Sequence, residues 1–584
     1  MNLIRPWPLA NHKADAFVLG LGVLVLPLIL IQFAALLGQP VFYGYDEIEH
    51  LSAVFAIERG ERPYLDFFEN HPLLPHVLLS WFHRWIWMND VGQIYQLAMG
   101  LILLHVVGCF VLLFRFYTRF AKTACLPLPS GVPMWIALGL LTPWQDKLRP
   151  VWQLRPDWIC YFWALLGIFL HMRLMQRWYR GESLNPVLWV TGGLVSGFAI
   201  ALLPKAAFLF LPYGMSLLIM LVADSAQLID VLRLRRRALL TVNLGFLTLA
   251  IVALVACIAG ELHVTGTSLE AYYKANISLN ALRHPVKTFN DAKLFDVLAS
   301  TSAGHLLLVL AGLMMLAVLF LRLARSNASE RFSIYSVLGM LLVVIVNGLL
   351  PAFSNGGQWS HNYIPALMMF YLLTALALSE GWHQLDRLTT RWMRRRVVLW
   401  GVGLVFGMLF LVALWQHYAQ ALDRFGNMKL ARQLLQISSG TDGGGAMPDR
   451  LLPPGASYLS FDPIMRPARG KFWGYYFMLA ADRGMWQDAY RLNLGPDPAT
   501  HWQTLWHKQP PEVVLVSSPM DLQYRIEQVR VAQQLDVSWL DAALRKDYVC
   551  LIRSGLAAYV HRQALGTFAD WRPCVTIRDE RLDR

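Results

Sequence analysis

Residues 43–50 read Tyr-Gly-Tyr-Asp-Glu-Ile-Glu-His, and they follow almost directly on the apolar run Ala16–Gly38. The stretch places three carboxylates and one imidazole where a first membrane helix would meet water. A charged side chain inside the hydrocarbon costs several kcal/mol, so acidic groups crowded at the end of a membrane helix usually serve a purpose. The sequence therefore predicts a membrane protein with a chemically active polar site at the membrane surface.

The composition of the whole chain agrees with a membrane protein. Of the 584 residues, 56% are hydrophobic and 15% are charged, and the mean hydropathy is +0.42, far from the averages of soluble domains. Apolar runs that reach or approach the length needed to cross a core of about 30 Å recur along the first two-thirds of the chain. They lie at about 16–38, 93–114, 132–145, 157–172, 187–203, 206–222, 239–259, 304–321, 334–350, 364–379 and 397–415. We therefore expect an all-α polytopic membrane domain of about eleven transmembrane helices over residues 1–415.

The basic residues predict how these helices are oriented. Arginine and lysine concentrate in alternate loops between the apolar runs and in the N-terminal segment. The loop clusters lie at 115–122, 173–180, 233–237, 322–331 and 391–396. By the positive-inside rule these loops are cytoplasmic, so the acidic stretch at 43–50 lies outside. The net charge of +13 is mostly this topological signal, and because the cations occupy separate short loops we expect no nucleic-acid partner.

Residues 416–584 have the mixed polarity and the turn-rich composition of a separate domain on the outer side. The expected strands are Ser457–Phe461, Glu512–Ser517, Tyr548–Arg553 and Ala557–His561, and the expected helices are Trp473–Arg483, Asp521–Gln534 and Ser538–Leu544. These elements predict a small α/β domain. Its only cysteines, Cys550 and Cys574, would share an oxidising compartment, where a disulfide and two separate thiols are both open.

The first outer loop, residues 39–92, carries the richest chemistry. If residues 46–60 are helical, Asp46, Glu49 and His50 share one face, because positions i, i+3 and i+4 are neighbours on a helix. Glu69-Asn70-His71-Pro72 then precedes an amphipathic stretch, Leu73–Met88, and Pro72 suits the first turn of that helix. The stretch contains three tryptophans, which suit a helix at the level of the lipid headgroups. Such a site would serve a substrate with a lipid tail and a polar head.

Several short motifs resemble those of the GT-C glycosyltransferases, in the branch of the protein O-mannosyltransferases and the lipid A aminoarabinose transferase. They are Asp46-Glu47 after the first apolar run, the Gly60 to Pro63 turn, Glu69-Asn70-His71-Pro72, the glycine-rich Gly192–Lys205, and His361-Asn362-Tyr363-Ile364-Pro365. The resemblance implies a GT-C membrane domain followed by a periplasmic α/β domain, in a bacterial inner membrane. It also implies a polyprenyl-phosphate sugar as donor and a glycan, lipid or protein as acceptor.

The resemblance also implies roles for acidic residues. Asp46 matches the catalytic aspartate and would be the general base, with Glu47 beside it to set its pKa or to orient the acceptor; the alternative is that Asp46 caps a helix. Glu69 would approach the donor or a metal ion, or else remain a solvated carboxylate. His71 occupies a position where the aminoarabinose branch often has lysine, so its phosphate-binding role is open. Together Asp46, Glu47, His50, Glu69 and His71 form a candidate set for a divalent metal ion, and Glu49 adds a further carboxylate.

Cations for the leaving phosphate have other sources. Lys205 interrupts an apolar stretch on the outer side, where an intramembrane lysine is a functional candidate and snorkelling is the alternative. The second outer loop is basic against the general trend, and its Arg149 and Arg155 are candidates for binding phosphate. An ion pair of Arg155 with Asp157 is the alternative. His361 and Tyr363 would line the same chamber, although Tyr363 also suits an interfacial anchor.

Other functional classes remain open on the sequence. A lipid-linked oligosaccharide ligase or polymerase would centre on a large late outer loop rather than on an aspartate of the first loop. A lipid or polysaccharide transporter would carry an internal repeat or paired broken helices, and no convincing repeat is present in the sequence. A non-enzymatic assembly protein with a degenerate version of the fold is the third alternative.

Overall fold

The computed structural model describes the helices of the membrane domain and most of the C-terminal domain. The described residues are 45–69, 71–88, 91–123, 155–179, 182–225, 232–283, 328–349, 364–389, 485–516, 522–533, 535–553 and 556–574, with Trp415, 470–473 and parts of 313–321 and 451–461.

The described part of the first two-thirds of the chain is mostly helical, apart from short connections and the segment 59–73 between the first two helices. The helices are α1 Tyr45–Glu58, α2 Leu74–Trp85, α3 Val91–Thr123, α4 Asp157–Tyr179, α5 Pro186–Leu202, α6 Ala207–Ser225, α7 Leu232–Thr265, α8 Leu269–Tyr273, α9 Leu279–Arg283, α10 Ala328–Leu349 and α11 Ile364–Thr389. A 3₁₀ turn, Pro204–Ala206, joins α5 to α6, and a π-helical turn, Lys274–Ser278, joins α8 to α9. The mostly helical architecture expected from the apolar runs is confirmed.

Four of these helices contain segments long and apolar enough to cross a membrane. The segments are Gln93–Phe120, Asp157–Trp178, Leu240–Thr265 and Ile364–Gly381, and shorter apolar helices cover Pro186–Leu202, Pro204–Ile219 and Tyr335–Asn347. The expected spans 16–38, 132–145 and almost all of 397–415 lie outside the described residues, and 304–321 is described only in part. The expected number of eleven spans is therefore not confirmed.

The glycines of α5 allow this helix to lie close against α7. A methyl group at Gly193 would come within 2.7 Å of the Leu249 side chain, and one at Gly197 would overlap the backbone carbonyl oxygen of Ala250. Small residues are what membrane helices use for such close approach, because dispersion contacts rather than the hydrophobic effect drive their packing. Helix α5 ends at Leu202, just before the 3₁₀ turn that begins at Pro204 and carries Lys205.

The C-terminal domain contains a six-stranded mixed sheet. Its strands are β1 Ser457–Ser460, β2 Lys471–Phe472, β3 Val513–Val516, β4 Tyr548–Arg553, β5 Leu556–His561 and β6 Arg572–Pro573, in the order β2-β1-β3-β5-β4-β6. The helices are α12 Met485–Arg491, α13 Pro498–Lys508, α14 Leu522–Gln533 and α15 Trp539–Asp547. The strands β1, β2 and β3 are parallel, and β3, β5, β4 and β6 pair antiparallel.

The predicted elements of this domain agree with the structure where it is described. The hairpin pairs Tyr548 with His561 and Arg553 with Leu556, and the two expected strands before it are present. The disulfide between Cys550 and Cys574 is present as well, and it fastens the last strand to β4. The helix expected over Trp473–Arg483 falls outside the described residues, except for Trp473, which lies in a bend after β2.

The first outer loop shares its apolar core with the C-terminal domain. Tyr64, Phe67 and Phe68 are buried in one hydrophobic cluster with Tyr458 of β1 and Trp486 of α12. Helices α8 and α9 contribute to the same cluster through the turn that joins them. Burying a large aromatic side chain stabilises its position by about 1.5–3 kcal/mol, so the loop is held between the membrane helices and the C-terminal domain.

Candidate functional site

Two histidines from different helices meet at the centre of the candidate site. The Nδ1 atom of His50, on α1, lies 2.9 Å from the Nε2 atom of His76, the third residue of α2, and both side chains are buried. Burial lowers the pKa of His50 well below its ordinary value, and the positive charges of His71, His76 and Arg155 act in the same direction. Burial likewise lowers the pKa of His76, against the opposing charge of Glu69. Both imidazoles are therefore neutral at neutral pH and offer lone pairs to a ligand.

Glu69 and His71 lie beside this pair, on the segment between α1 and α2. One carboxylate oxygen of Glu69 accepts a hydrogen bond from the backbone N–H of His71 at 3.0 Å and contacts the His71 ring Nδ1 at 2.7 Å. The Glu69 side chain is completely buried. Burial raises its pKa, but the hydrogen bonds and charge of His71, with the charge of His76, outweigh burial and leave the pKa below its ordinary value. Glu69 is therefore an ionised carboxylate, and the alternative of a solvated loop residue is wrong.

The four side chains form one cluster, which we call the histidine cluster: His50, Glu69, His71 and His76. The rings of His50 and His71 have their centroids 4.7 Å apart. One potential ligand atom from each of His50, Glu69 and His76 lies within 4.8 Å of the others, and the same holds for Glu49, Glu69 and His71. Four of the residues singled out in the sequence are thus brought together: Glu49, His50, Glu69 and His71.

His76 was not singled out from the sequence. A histidine three residues into an amphipathic helix is commonly an ordinary surface residue, and nothing in its spacing from His50 indicates contact. The one signal was its position, five residues after His71 in the motif-bearing segment. The sequence also suggested Pro72 for the first turn of the helix, but α2 begins at Leu74 and Pro75 occupies that position. His76 therefore lies one or two residues closer to the helix start than expected.

Glu261, near the end of the membrane helix α7, fixes the beginning of α2. Its carboxylate accepts a hydrogen bond from the backbone N–H of Leu73 at 3.0 Å, and its side chain is buried. The first N–H groups of a helix have no partner within the helix and carry partial positive charge, so a carboxylate is well suited to this position. The sequence analysis did not identify Glu261, because an acidic residue near the end of an apolar run usually only marks the end of a membrane span.

A second contact holds α2 against α1. The Glu58 carboxylate at the end of α1 pairs with the buried ring of His83, and the Arg84 guanidinium lies 3.4 Å from the same carboxylate. The opposite side of α2 exposes Trp81 and Trp85, and Trp87 just beyond it is 87% exposed. One face of α2 thus faces the histidine cluster and the other presents the tryptophans, as the amphipathic pattern predicted.

The basic residues meet at the ends of α4 and α5. The buried Asp157 carboxylate lies 3.5 Å from the Arg155 Nε atom and 3.7 Å from the Lys205 Nζ atom. The ion pair of Arg155 with Asp157, given above as the alternative to phosphate binding, is therefore present. Two cations share one carboxylate, so the group has a net positive charge. The charge of Arg155 also lowers the pKa of His50, so Arg155 is near the histidine cluster.

The remaining candidates are described incompletely or not at all. Asp46 and Glu47 belong to α1, whose helical backbone confirms that Asp46 precedes His50 by one turn, but their side chains are outside the described residues. Arg149, His361 and Tyr363 also lie outside the described residues. Their roles stay predictions.

Comparisons with known proteins give likenesses of fold only. No protein-family model matches the chain, and no curated protein matches it significantly. Among solved structures, the archaeal oligosaccharyltransferase AglB from Archaeoglobus fulgidus, in complex with an inhibitory peptide and a dolichol-phosphate, is 12% identical with a TM-score of 0.46, over 94% of this chain and 74% of that one.

Two further structures of the Archaeoglobus fulgidus oligosaccharyltransferase are similar to this chain. The apo form is 12% identical with a TM-score of 0.45, over 93% of this chain and 74% of that chain. The form tethered to an acceptor peptide is 14% identical with a TM-score of 0.41, over 94% of this chain and 74% of that chain. Because the identities and TM-scores are low, no activity or residue role is taken from these likenesses.

Proposed function

We propose that this protein is a membrane glycosyltransferase that moves a sugar from a polyprenyl-phosphate donor to an acceptor hydroxyl. The observation that carries the proposal is the pairing of two cations, Arg155 and Lys205, with the one buried carboxylate of Asp157 at the ends of apolar helices. The charge of Arg155 also lowers the pKa of His50, so this cation is near the polar site of the first loop. A lipid-phosphate sugar needs an apolar surface for its tail, cations for its phosphate and polar groups for its sugar.

The reaction is a substitution at the anomeric carbon. The acceptor oxygen forms a new bond to this carbon as the bond from carbon to phosphate oxygen breaks, and the electron pair of that bond leaves with the phosphate. Asp46 takes the proton of the acceptor hydroxyl, with Glu47 orienting the acceptor. A positioned base contributes about 10²- to 10⁴-fold to such a step.

Lys205 and Arg155 stabilise the charge that develops on the departing phosphate. Asp157 holds both cations at the ends of their helices, and their net charge remains positive after this pairing. Fixed cations in a site from which water is excluded stabilise developing charge more strongly than they would in water. Arg149, His361 and Tyr363 are proposed to line the same chamber as donor-binding residues.

The orientation of the site follows from the positive-inside rule. We place the histidine cluster and the C-terminal domain on the periplasmic side of a bacterial inner membrane, with the N-terminus in the cytoplasm. The exposed tryptophans at 81, 85 and 87 would then lie at the outer headgroup layer, where the donor phosphate is found. The acceptor is a glycan, a lipid A-type lipid or a protein.

The test is transfer from polyprenyl-phosphate sugars by purified enzyme in liposomes, followed as release of polyprenyl phosphate. Asp46→Asn should lower the rate by about 10²- to 10⁴-fold, and Lys205→Gln by about 10²- to 10³-fold. The matched controls are Asp66→Asn and Lys274→Gln. Asp66 is a half-exposed aspartate of the same loop, and Lys274 pairs with the exposed Glu270. Full activity of Asp46→Asn would remove the proposed base, and transfer without release of phosphate would remove the proposed donor class.

A further inference from the structure

We propose that His50, Glu69 and His76 bind a divalent transition-metal ion, with Zn²⁺ as the best fit. The proposal does not depend on the glycosyl-transfer reaction, because it rests on the ligand chemistry of the histidine cluster. The sequence suggested a divalent metal as one possibility on a different set of residues, without His76 and with Asp46 and Glu47. The geometry points to two histidines and one carboxylate instead.

The spacing of the ligand atoms suits a small metal ion. Zinc binds histidine nitrogen and carboxylate oxygen at about 2.0–2.2 Å, so tetrahedral ligand atoms lie roughly 3.3 Å apart. The His50 and His76 nitrogens are 2.9 Å apart, and the three ligand atoms lie within 4.8 Å of one another. Side-chain rotations that move these ligand atoms by about 1 Å bring them to the bonding distance.

Three buried atoms of the cluster lack a hydrogen-bond partner among the described residues. They are the Nε2 atom of His50, the Nδ1 atom of His76 and the Oε2 atom of Glu69. A buried polar atom left without a partner costs about 1–3 kcal/mol, so such atoms call for an explanation. A metal ion bound to the Oε2 atom of Glu69 supplies it for the carboxylate, and the ring nitrogens that face each other, His50 Nδ1 and His76 Nε2, are the other two ligands.

Neighbouring residues hold the proposed ligands in place through hydrogen bonds and charge. His71 contacts one oxygen of Glu69 through its ring and donates its backbone N–H to the same oxygen, which leaves the other oxygen for the ion. Glu49 is a further buried carboxylate within reach of Glu69 and His71. Its negative charge opposes the repulsion that Arg155 exerts on a cation in this place.

The donor set selects among metal ions. Two imidazoles and one carboxylate favour Zn²⁺ and neighbouring transition metals, whereas Mg²⁺ and Ca²⁺ prefer oxygen ligands throughout. Three protein ligands also leave a fourth position free, which is the arrangement of catalytic rather than structural zinc sites. A ligand for that position would approach from the side of Arg155 and Lys205, where a phosphate oxygen suits both the cations and the zinc ion.

The experiment uses the full chain in detergent, stripped with a chelator and titrated with Zn²⁺. We expect one zinc ion per chain by elemental analysis, with affinity for Zn²⁺ far above that for Mg²⁺. His76→Gln and Glu69→Gln should each weaken zinc binding by more than the roughly 10- to 100-fold that loss of a second-shell group costs. His507→Gln, an exposed histidine on α13, is the matched control and should bind zinc like the wild type.

A second measurement covers variants that fail to fold. The wild-type protein loaded with Co²⁺ should show the visible absorption of a four-coordinate ion with nitrogen and oxygen ligands. Wild-type protein without stoichiometric zinc, zinc affinities of His76→Gln and Glu69→Gln equal to that of His507→Gln, or equal binding of Mg²⁺ would each overturn the proposal. None of these results bears on the Asp46→Asn test, so the failure of one proposal is distinguishable from the failure of the other.

Discussion

Removing the carboxylate of Glu261 should loosen the beginning of α2. The substitution Glu261→Ala deletes the acceptor of the Leu73 backbone N–H, at a position where the carboxylate is buried and the hydrogen bond measures 3.0 Å. The first turn of α2 then has a backbone N–H donor without its partner.

The size of the effect follows from the kind of hydrogen bond. A buried donor left without its partner costs about 1–3 kcal/mol. Since about 1.4 kcal/mol corresponds to a tenfold change in an equilibrium constant, local opening of the segment should become roughly 5- to 150-fold more frequent. His76 is three residues from Leu73, so zinc affinity should fall together with the protection of this segment.

Hydrogen–deuterium exchange of the full chain measures this opening directly. Peptides that cover residues 71–80 should exchange faster in Glu261→Ala, whereas those of α13 in the C-terminal domain should not change. Glu261→Gln keeps an acceptor oxygen and should give an intermediate rate. Glu270→Ala is the matched control, because that glutamate is exposed and pairs only with Lys274 in the described structure. Exchange in Glu261→Ala within twofold of the wild type would refute the reasoning.

Two further predictions concern helix packing within the membrane domain and the stability of the C-terminal domain. Gly197→Ala places a methyl group against a backbone carbonyl of α7 and within 2.8 Å of another side chain, so it should destabilise the bundle by about 1–3 kcal/mol; the thermal midpoint in detergent measures this. Gly214→Ala, with no atom within 4 Å of the new methyl group, should leave that midpoint unchanged, and equal midpoints for both variants would contradict the prediction. Replacing Cys550 and Cys574 together by serine opens a loop with a sequence separation of 24, which should cost about 3.5 kcal/mol by loop entropy. Pulse proteolysis of the C-terminal domain in urea measures this loss of stability, with Cys257→Ser as the control. An unchanged urea midpoint in the double variant would contradict the prediction.

Much of the local structure was predictable because it depends on short-range patterns. The length and hydropathy of an apolar run are local properties, and they predicted helices α3 to α7, α10 and α11 to within several residues at their ends. The hairpin of β4 and β5 followed from alternating residues on both sides of Ser554-Gly555. The disulfide had one possible partner for each cysteine once the domain boundary was drawn, and it is confirmed.

The candidate site was predictable only in part. His50, Glu69 and His71 were identified because charged and polar residues are costly near a membrane and therefore conspicuous in an apolar sequence. His76 and Glu261 were not, because each is an ordinary residue of its own helix. Their importance depends on what lies opposite them.

The sequence by itself determined that this is a helical membrane protein and which of its residues are chemically unusual; it also predicts which side of the membrane carries the acidic loop. The tertiary structure alone decided which of these residues meet. His50 contacts His76 across 26 positions, and Glu261 reaches Leu73 across 188. The physical reason is that apolar runs and helical periodicity are properties of a few consecutive turns. Contact between distant residues depends instead on how closely whole helices pack. The glycines that let α5 lie against α7 belong to that packing, and so does the apolar core that the first loop shares with the C-terminal domain.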